Sequence, residues 1–220
     1  MRMPVFLQRY LSIPQEREYE AWTVQQIEDY FSRIGMRSLI WAVSPRDEVT
    51  WPADEHLYMD GKIIGLQFKQ TKVRSTQTNT SLDYSRIRWD FANPKGQFSL
   101  LQRRKEIFYC LPTFLNRKIS RSALEHCIFW RPGCHNDTNA WYNNPRAKTP
   151  YKCLAAESRW GHFIERVVSC EVGERIQSRQ QINSYLADLQ SLFQEYYGQN
   201  TDPDNSRTSA FGLYLIYLQL

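Results

Sequence analysis

The chain lacks any apolar run approaching the roughly 18 residues that a bilayer-crossing helix requires, so a membrane span is not expected. Its opening stretch, MRMPVFLQRYLSIPQ, is too short in its apolar part and too interrupted to read as a signal peptide. Cysteines are few and odd in number, five at positions 110, 127, 134, 153 and 170, with irregular spacing. That excludes a fully paired disulfide framework and points to reduced thiols in a cytoplasmic protein. Glu125-His126-Cys127, Cys134-His135 and Cys153 are too widely spaced for a zinc knuckle, whose paired ligands stand about two to four residues apart. No G-x-x-x-x-G-K-[ST] segment occurs, so the chain carries no P-loop, and any ATP-driven step needs a partner. Neither a Gly-x-Ser-x-Gly nor a credible Cys/His dyad points to nucleophile-based hydrolases. There is no internal repeat and no clear interdomain linker.

What the sequence does contain is enough apolar material for a packed core: 42% hydrophobic and 14% aromatic residues in 220. The expected organisation is a core over residues 1–132 with a loop-rich, helical extension over 133–220 packed on it, one domain overall. Charge is unevenly spread. Residues 1–60 hold 6 Lys/Arg against 10 Asp/Glu, residues 61–133 hold 14 against 4, and residues 134–220 hold 8 against 9. The basic excess includes Lys69, Lys72 and Arg74, then Arg103, Arg104 and Lys105. Basic side chains beside an acidic pocket suit a polyanionic substrate, and these are the candidate nucleic-acid contacts.

Residues 16–34 predict a helix: Val24, Ile27, Phe31 and Ile34 recur at helical spacing, and Gly35 supplies the stop. Glu20 falls on the apolar face of that helix and Glu28 on its flank, so Glu20 is the better candidate for a carboxylate aimed into a site. Arg37–Val43 predicts a strand. Asp60-Gly61 predicts a hairpin turn joining His56–Met59 to Lys62–Lys72, with Ile63 and Ile64 buried on both faces. A short helix is expected over Phe98–Arg104, strands over Glu106–Leu115 and Cys127–Trp130, and a short helix or turn over Ser120–His126. Residues 133–160 read as loop and Arg175–Tyr197 as a long helix. The apolar tail SAFGLYLIYLQL reads as a last strand or as a cover over the core.

The chemistry concentrates in WPADEHLYMDGKIIGLQFKQTK, residues 51–72. Asp54 opens the segment, and Gln67 and Lys69, two apart on a strand, share a face. A carboxylate, an amide oxygen and an ammonium on one side of a small sheet are suited to holding a divalent cation and poising a water for phosphodiester hydrolysis.

The order of helix with an acid, strand, hairpin opening on an aspartate, then Gln-x-Lys resembles the restriction-endonuclease-like superfamily of PD-(D/E)xK nucleases. Within it the Gln-x-Lys pattern is similar to the Mrr-like branch. The resemblance covers residues 16–72, with a plausible continuation to about 130; Pro52-Ala53-Asp54 carries one inserted residue in the first motif. It implies an α/β fold with a mixed β-sheet flanked by helices and a helical C-terminal addition. It also implies a catalytic set of Glu20, Asp54, Gln67 and Lys69. Asp54, Gln67 and Glu20 would hold Mg2+ or Mn2+, and Lys69 would orient or deprotonate the attacking water. Gln70, Lys72, Arg74, Arg103, Arg104 and Lys105 would touch the nucleic acid. The function so implied is metal-dependent cleavage of DNA, in defence against foreign DNA, by a chain that pairs with itself or with an NTPase or sensor protein. A catalytically silent nucleic-acid-binding or assembly subunit is the alternative, and an RNA-cleaving toxin of the same fold the third.

Overall fold

In the computed structural model the described residues are 13–43, 60–73, 87–91, 96–132, 139–141, 159–197 and 213–219. They form helices α1 (Glu16–Arg33), α2 (Gln97–Arg103), α3 (Trp160–Val168) and α4 (Arg179–Tyr197). The strands are β1 (Ser38–Val43), β2 (Gly61–Phe68), β3 (Lys72–Val73), β4 (Ile87–Asp90), β5 (Ile107–Pro112), β6 (Cys127–Trp130), β7 (Asn139–Trp141), β8 (Glu174–Ile176) and β9 (Leu213–Gln219). The result is a mixed α/β architecture, an open mixed sheet flanked by helices.

The main sheet runs β1-β9-β2-β5-β6, with β8 also paired to β2, and a small second sheet runs β3-β4-β7. β2 and β5 are parallel, Gly65 opposite Ile107 through Phe68 opposite Cys110. β9 lies antiparallel to both β1 and β2. The tail, expected as a last strand or a cover, is therefore an interior strand of the sheet. Every residue of β2 is buried, as the adjacent Ile63 and Ile64 predict, because both faces are covered. Gly65 is needed at its position: a Cβ there would stand 2.8 Å from the Ile107 side chain.

One expectation is corrected here. The Asp60-Gly61 hairpin would pair β2 with residues 56–59, which lie outside the described residues. Yet β9 takes one edge of β2 over 61–67, while β8 takes the other over 61–63 and β5 over 65–68. Gly61 starts a central strand, and Asp60 instead faces the exposed Arg175 guanidinium at 3.4 Å. Non-local pairing has overridden the local turn signal.

The two faces of the sheet carry different cores. One joins Ile63, Ile107, Tyr109, Leu111, Leu213 and Leu215 with Leu186 and Leu189 of α4. The other joins Ile64, Leu66, Phe68, Phe108, Cys110 and Ile216 with Tyr19, Ile27 and Phe31 of α1 and Phe163 and Val167 of α3. α1 ends as its sequence predicts, with Gly35 at φ 73° just beyond the last turn. α3 was not expected, since the loop reading ends at residue 160 and no element is expected over 161–174; Trp160, Phe163, Ile164 and Val167 nonetheless form a buried face at i, i+3, i+4 and i+7. Arg175 and Ile176, expected in the long helix, pair instead with Glu174 as β8.

Candidate active site

Lys69 follows the last residue of β2 and is 6% exposed. Its backbone is held by the first turn of α1. The Tyr19 hydroxyl accepts a hydrogen bond from the Lys69 amide and donates to the Lys69 carbonyl at 2.7 Å, with the Cys110 carbonyl at 3.3 Å. The next amide, that of Gln70, donates to Glu16 Oε2 at 2.8 Å, and the Gln70 side-chain amide donates to the Pro14 carbonyl at 3.0 Å. Burial keeps the Tyr19 hydroxyl protonated by pushing its pKa well up, with the Glu16 charge adding to the effect.

The electrostatic setting of the Lys69 side chain is mixed. Burial lowers its pKa to about 8, against the attraction of Glu16 and Asp90, while Lys72 pushes in the same direction as burial. Glu16 is raised from the ordinary carboxylate range by burial, offset in part by Lys69 and by the Gln70 amide. Lys72 forms an ion pair with Asp90 at 2.9 Å. The charge of Lys69 is thus influenced by Glu16 of α1 and Asp90 of β4.

Glu20 is on the buried face of α1, as its position predicts, whereas Glu28 is exposed. Its pKa is raised to about 7, by burial first and by Glu16 one turn away, with Arg17 and a hydrogen bond from Tyr214 opposing. One of its oxygens, Oε1, has no hydrogen-bond partner. Gln67 is 1% exposed, and its Nε2 donates to the Phe68 carbonyl at 3.3 Å while Oε1 has no partner. Its register neighbours Tyr109 and Leu213 belong to the α4-side core, whereas Glu20 reaches Tyr214 on the α1 side. Gln67 and Glu20 therefore project from opposite faces of the sheet, and the structure does not bring them together. The carboxylate that shares Lys69's surroundings is Glu16, which the sequence reading passed over. Its signal was available: Glu16 precedes Glu20 by four residues and so lies on the same helix face.

For a hard divalent cation, the buried and unpartnered Gln67 Oε1 fits, being the neutral oxygen such an ion accepts. Glu20, on the other face, does not join it. Asp54 and Arg74 lie outside the described residues. Among the described residues no group of three or more His, Cys, Asp or Glu is gathered for a metal.

The basic residues fall into two places. Lys72 stands beside Asp90, near Lys69. Arg103, Arg104 and Lys105 precede β5 at the end of the sheet where the Gly65 amide bonds the Glu106 carbonyl, about 13 Å of strand from Lys69 at roughly 3.3 Å per residue. Arg103 pairs with Glu195 at 3.3 Å on the surface. Arg104 bonds Glu106 at 2.6 Å and stacks its guanidinium 4.6 Å from the Tyr185 ring centre. A cleft there is also lined by Glu174, Arg175 and Asp188, so its charge is mixed. Among the described residues no helix is long and apolar enough to cross a membrane. Compared with known proteins, the chain matches no family model, no curated protein and no solved structure.

Proposed function

We propose that this chain hydrolyses phosphodiester bonds of DNA with the help of Mg2+ or Mn2+, at a centre built on Lys69. One arrangement carries the reading: a buried lysine just past the end of a fully buried strand, its charge influenced by Glu16 and Asp90 and the next backbone amide bonded to Glu16. An ammonium whose pKa lies near 8 exchanges its proton at little cost near neutrality. That suits a group that orients or deprotonates an attacking water and then offsets charge on the pentavalent phosphate. Gln67, with Asp54 as the resemblance implies, would hold the divalent cation, whose chemistry is to polarise the phosphate and acidify a bound water. Glu16, on the same α1 face as Glu20 and so across the sheet from Gln67, acts on the charge of the lysine rather than holding the cation. Lys72 is the nearest candidate contact for the nucleic-acid backbone. The parallel β2–β5 pair in a mixed sheet flanked by helices supports an α/β reading of this kind. Defence against foreign DNA, as a self-paired chain or beside an NTPase or sensor, is the setting that resemblance suggests.

A second reading rests on burial. Gln67 is 1% and Lys69 6% exposed, so a polymer reaches them only after the structure opens. That favours a silent binding or assembly subunit. Incubating the purified chain with plasmid DNA and Mg2+ or Mn2+, beside Asp54→Ala and Lys69→Ala, separates the two. Nicking that EDTA blocks and that both substitutions abolish supports hydrolysis. Folded proteins that bind DNA and never cut it support the second reading, and cutting of RNA alone supports a ribonuclease.

A further inference from the structure

The segment after β2 has lost its strand partners, yet its backbone is not left to solvent. Lys69 N–H and C=O both bond the Tyr19 hydroxyl, and Gln70 N–H bonds Glu16 Oε2. These three backbone groups belong to consecutive residues, and their partners lie three apart on α1, on one helix face. Tyr19 is 1% exposed, wedged edge-on against Phe68 at 5.5 Å and Phe114 at 6.2 Å between ring centres. Its hydroxyl has little freedom to move away.

We propose that Tyr19 and Glu16 are positioning residues: the first turn of α1 grips the Lys69–Gln70 backbone and so sets where the Lys69 ammonium stands. A lysine stem has four rotatable carbons, so its head is only as well placed as the backbone from which it starts. The helix, rather than the sheet ladder, supplies that fixed point. This inference rests on the reading of Lys69 as the reacting lysine, but the grip itself is measurable without any cleavage.

The experiment is amide hydrogen exchange on the full chain, with steady-state cleavage run in parallel, for Tyr19→Phe, Glu16→Ala and Glu16→Gln. Loss of one such bond is expected to speed exchange of the affected amide about 10-fold. Tyr19→Phe should free the Lys69 amide, and Glu16→Ala the Gln70 amide. Glu16→Gln, which keeps an acceptor oxygen, should restore protection at Gln70. The Leu66 amide, within β2, should not change in any variant. In cleavage, Tyr19→Phe should lower kcat about 10-fold or more and leave KM within about twofold, since substrate binding is untouched. Exchange at Lys69 unchanged in Tyr19→Phe, or raised equally throughout β2, overturns the grip. Freed exchange with unchanged kcat overturns its positioning role. Wild-type protein that exchanges as expected but cuts nothing sinks the nuclease reading while leaving the grip established.

Discussion

Two lysines lie near the two ends of β2, both buried, in opposite circumstances. Lys62 is 2% exposed, and its ammonium donates to the Val167 carbonyl at 2.6 Å, in the last turn of α3. Its stem runs against Gly173, where a Cβ would come within 2.5 Å of it. A cation on the last carbonyls of a helix meets the negative end of the helix dipole, here adding to the bond that the Cys170 amide gives the same oxygen at 3.3 Å. Lys69 stands instead among side-chain carboxylates and a second lysine, with its backbone rather than its head pinned by α1. Residue type and burial do not separate the two. What separates them is their surroundings: one ammonium donates to a backbone carbonyl, whereas the charge of the other is influenced by Glu16, Asp90 and Lys72.

The comparison breaks most readily at Lys69. Lys69→Met is expected to lower DNA cleavage about 100-fold or more while leaving the fold intact, because a methionine fills similar volume without the ammonium. Its folded pKa lies below the ordinary lysine value, so wild type gains stability from this group as pH rises from about 8 towards 10.5, and is penalised below that window. Thermal denaturation between pH 7 and 10 should show Lys69→Met as stable as wild type or more so at pH 7, with the gap closing at high pH. A methionine variant clearly less stable at pH 7 would make Lys69 a structural lysine like Lys62.

The next effect in size belongs to Glu20. Its folded pKa is raised to about 7, so its contribution to stability is complete below the unfolded carboxylate range and is lost as pH rises through 7. At pH 8 wild type should therefore trail Glu20→Gln by about 2 kcal/mol, and at pH 4 the two should converge. Equal urea midpoints at both pH values would show that Glu20 is solvated. Lys62→Met comes third: losing the bond to Val167 should cost about 1–2 kcal/mol in urea unfolding, with cleavage per folded molecule unchanged. A drop in cleavage there would erase the distinction between the two lysines. Smallest is Arg103→Ala, which removes an exposed ion pair and should shift stability by under about 0.5 kcal/mol.

Sequence periodicity located what is local. α1 begins and ends within a residue of the expected span, and Cys127–Trp130 forms the strand its composition predicts. The burial of Glu20 follows from its distance to Val24 and Ile27. What escaped was set by partners distant in sequence. Asp60-Gly61 looks like a turn until β8, β5 and β9 claim both edges of β2. Arg175 and Ile176 read as the start of the long helix yet pair within a strand. The face of Gln67 relative to Glu20 depends on which helix covers which side of the sheet, and no spacing within residues 16–72 encodes that. Glu16 and α3, by contrast, carry local spacing: Glu16 stands four residues before Glu20, and Trp160, Phe163, Ile164 and Val167 recur at helical intervals.

The interior place of β9 has a consequence for how the molecule comes into being. Among the described residues β1 and β2 are joined in the sheet through residues 213–219, nearly 150 positions later in the chain than β2. During synthesis both strands emerge long before the one that bridges them, each with an edge open to unwanted neighbours. Assembly must wait for a contact of very long sequence separation, which slows folding and lengthens the exposure of that edge. The nascent chain is thus most vulnerable before residues 213–219 emerge, when the apolar strands exist and the one that bridges them does not.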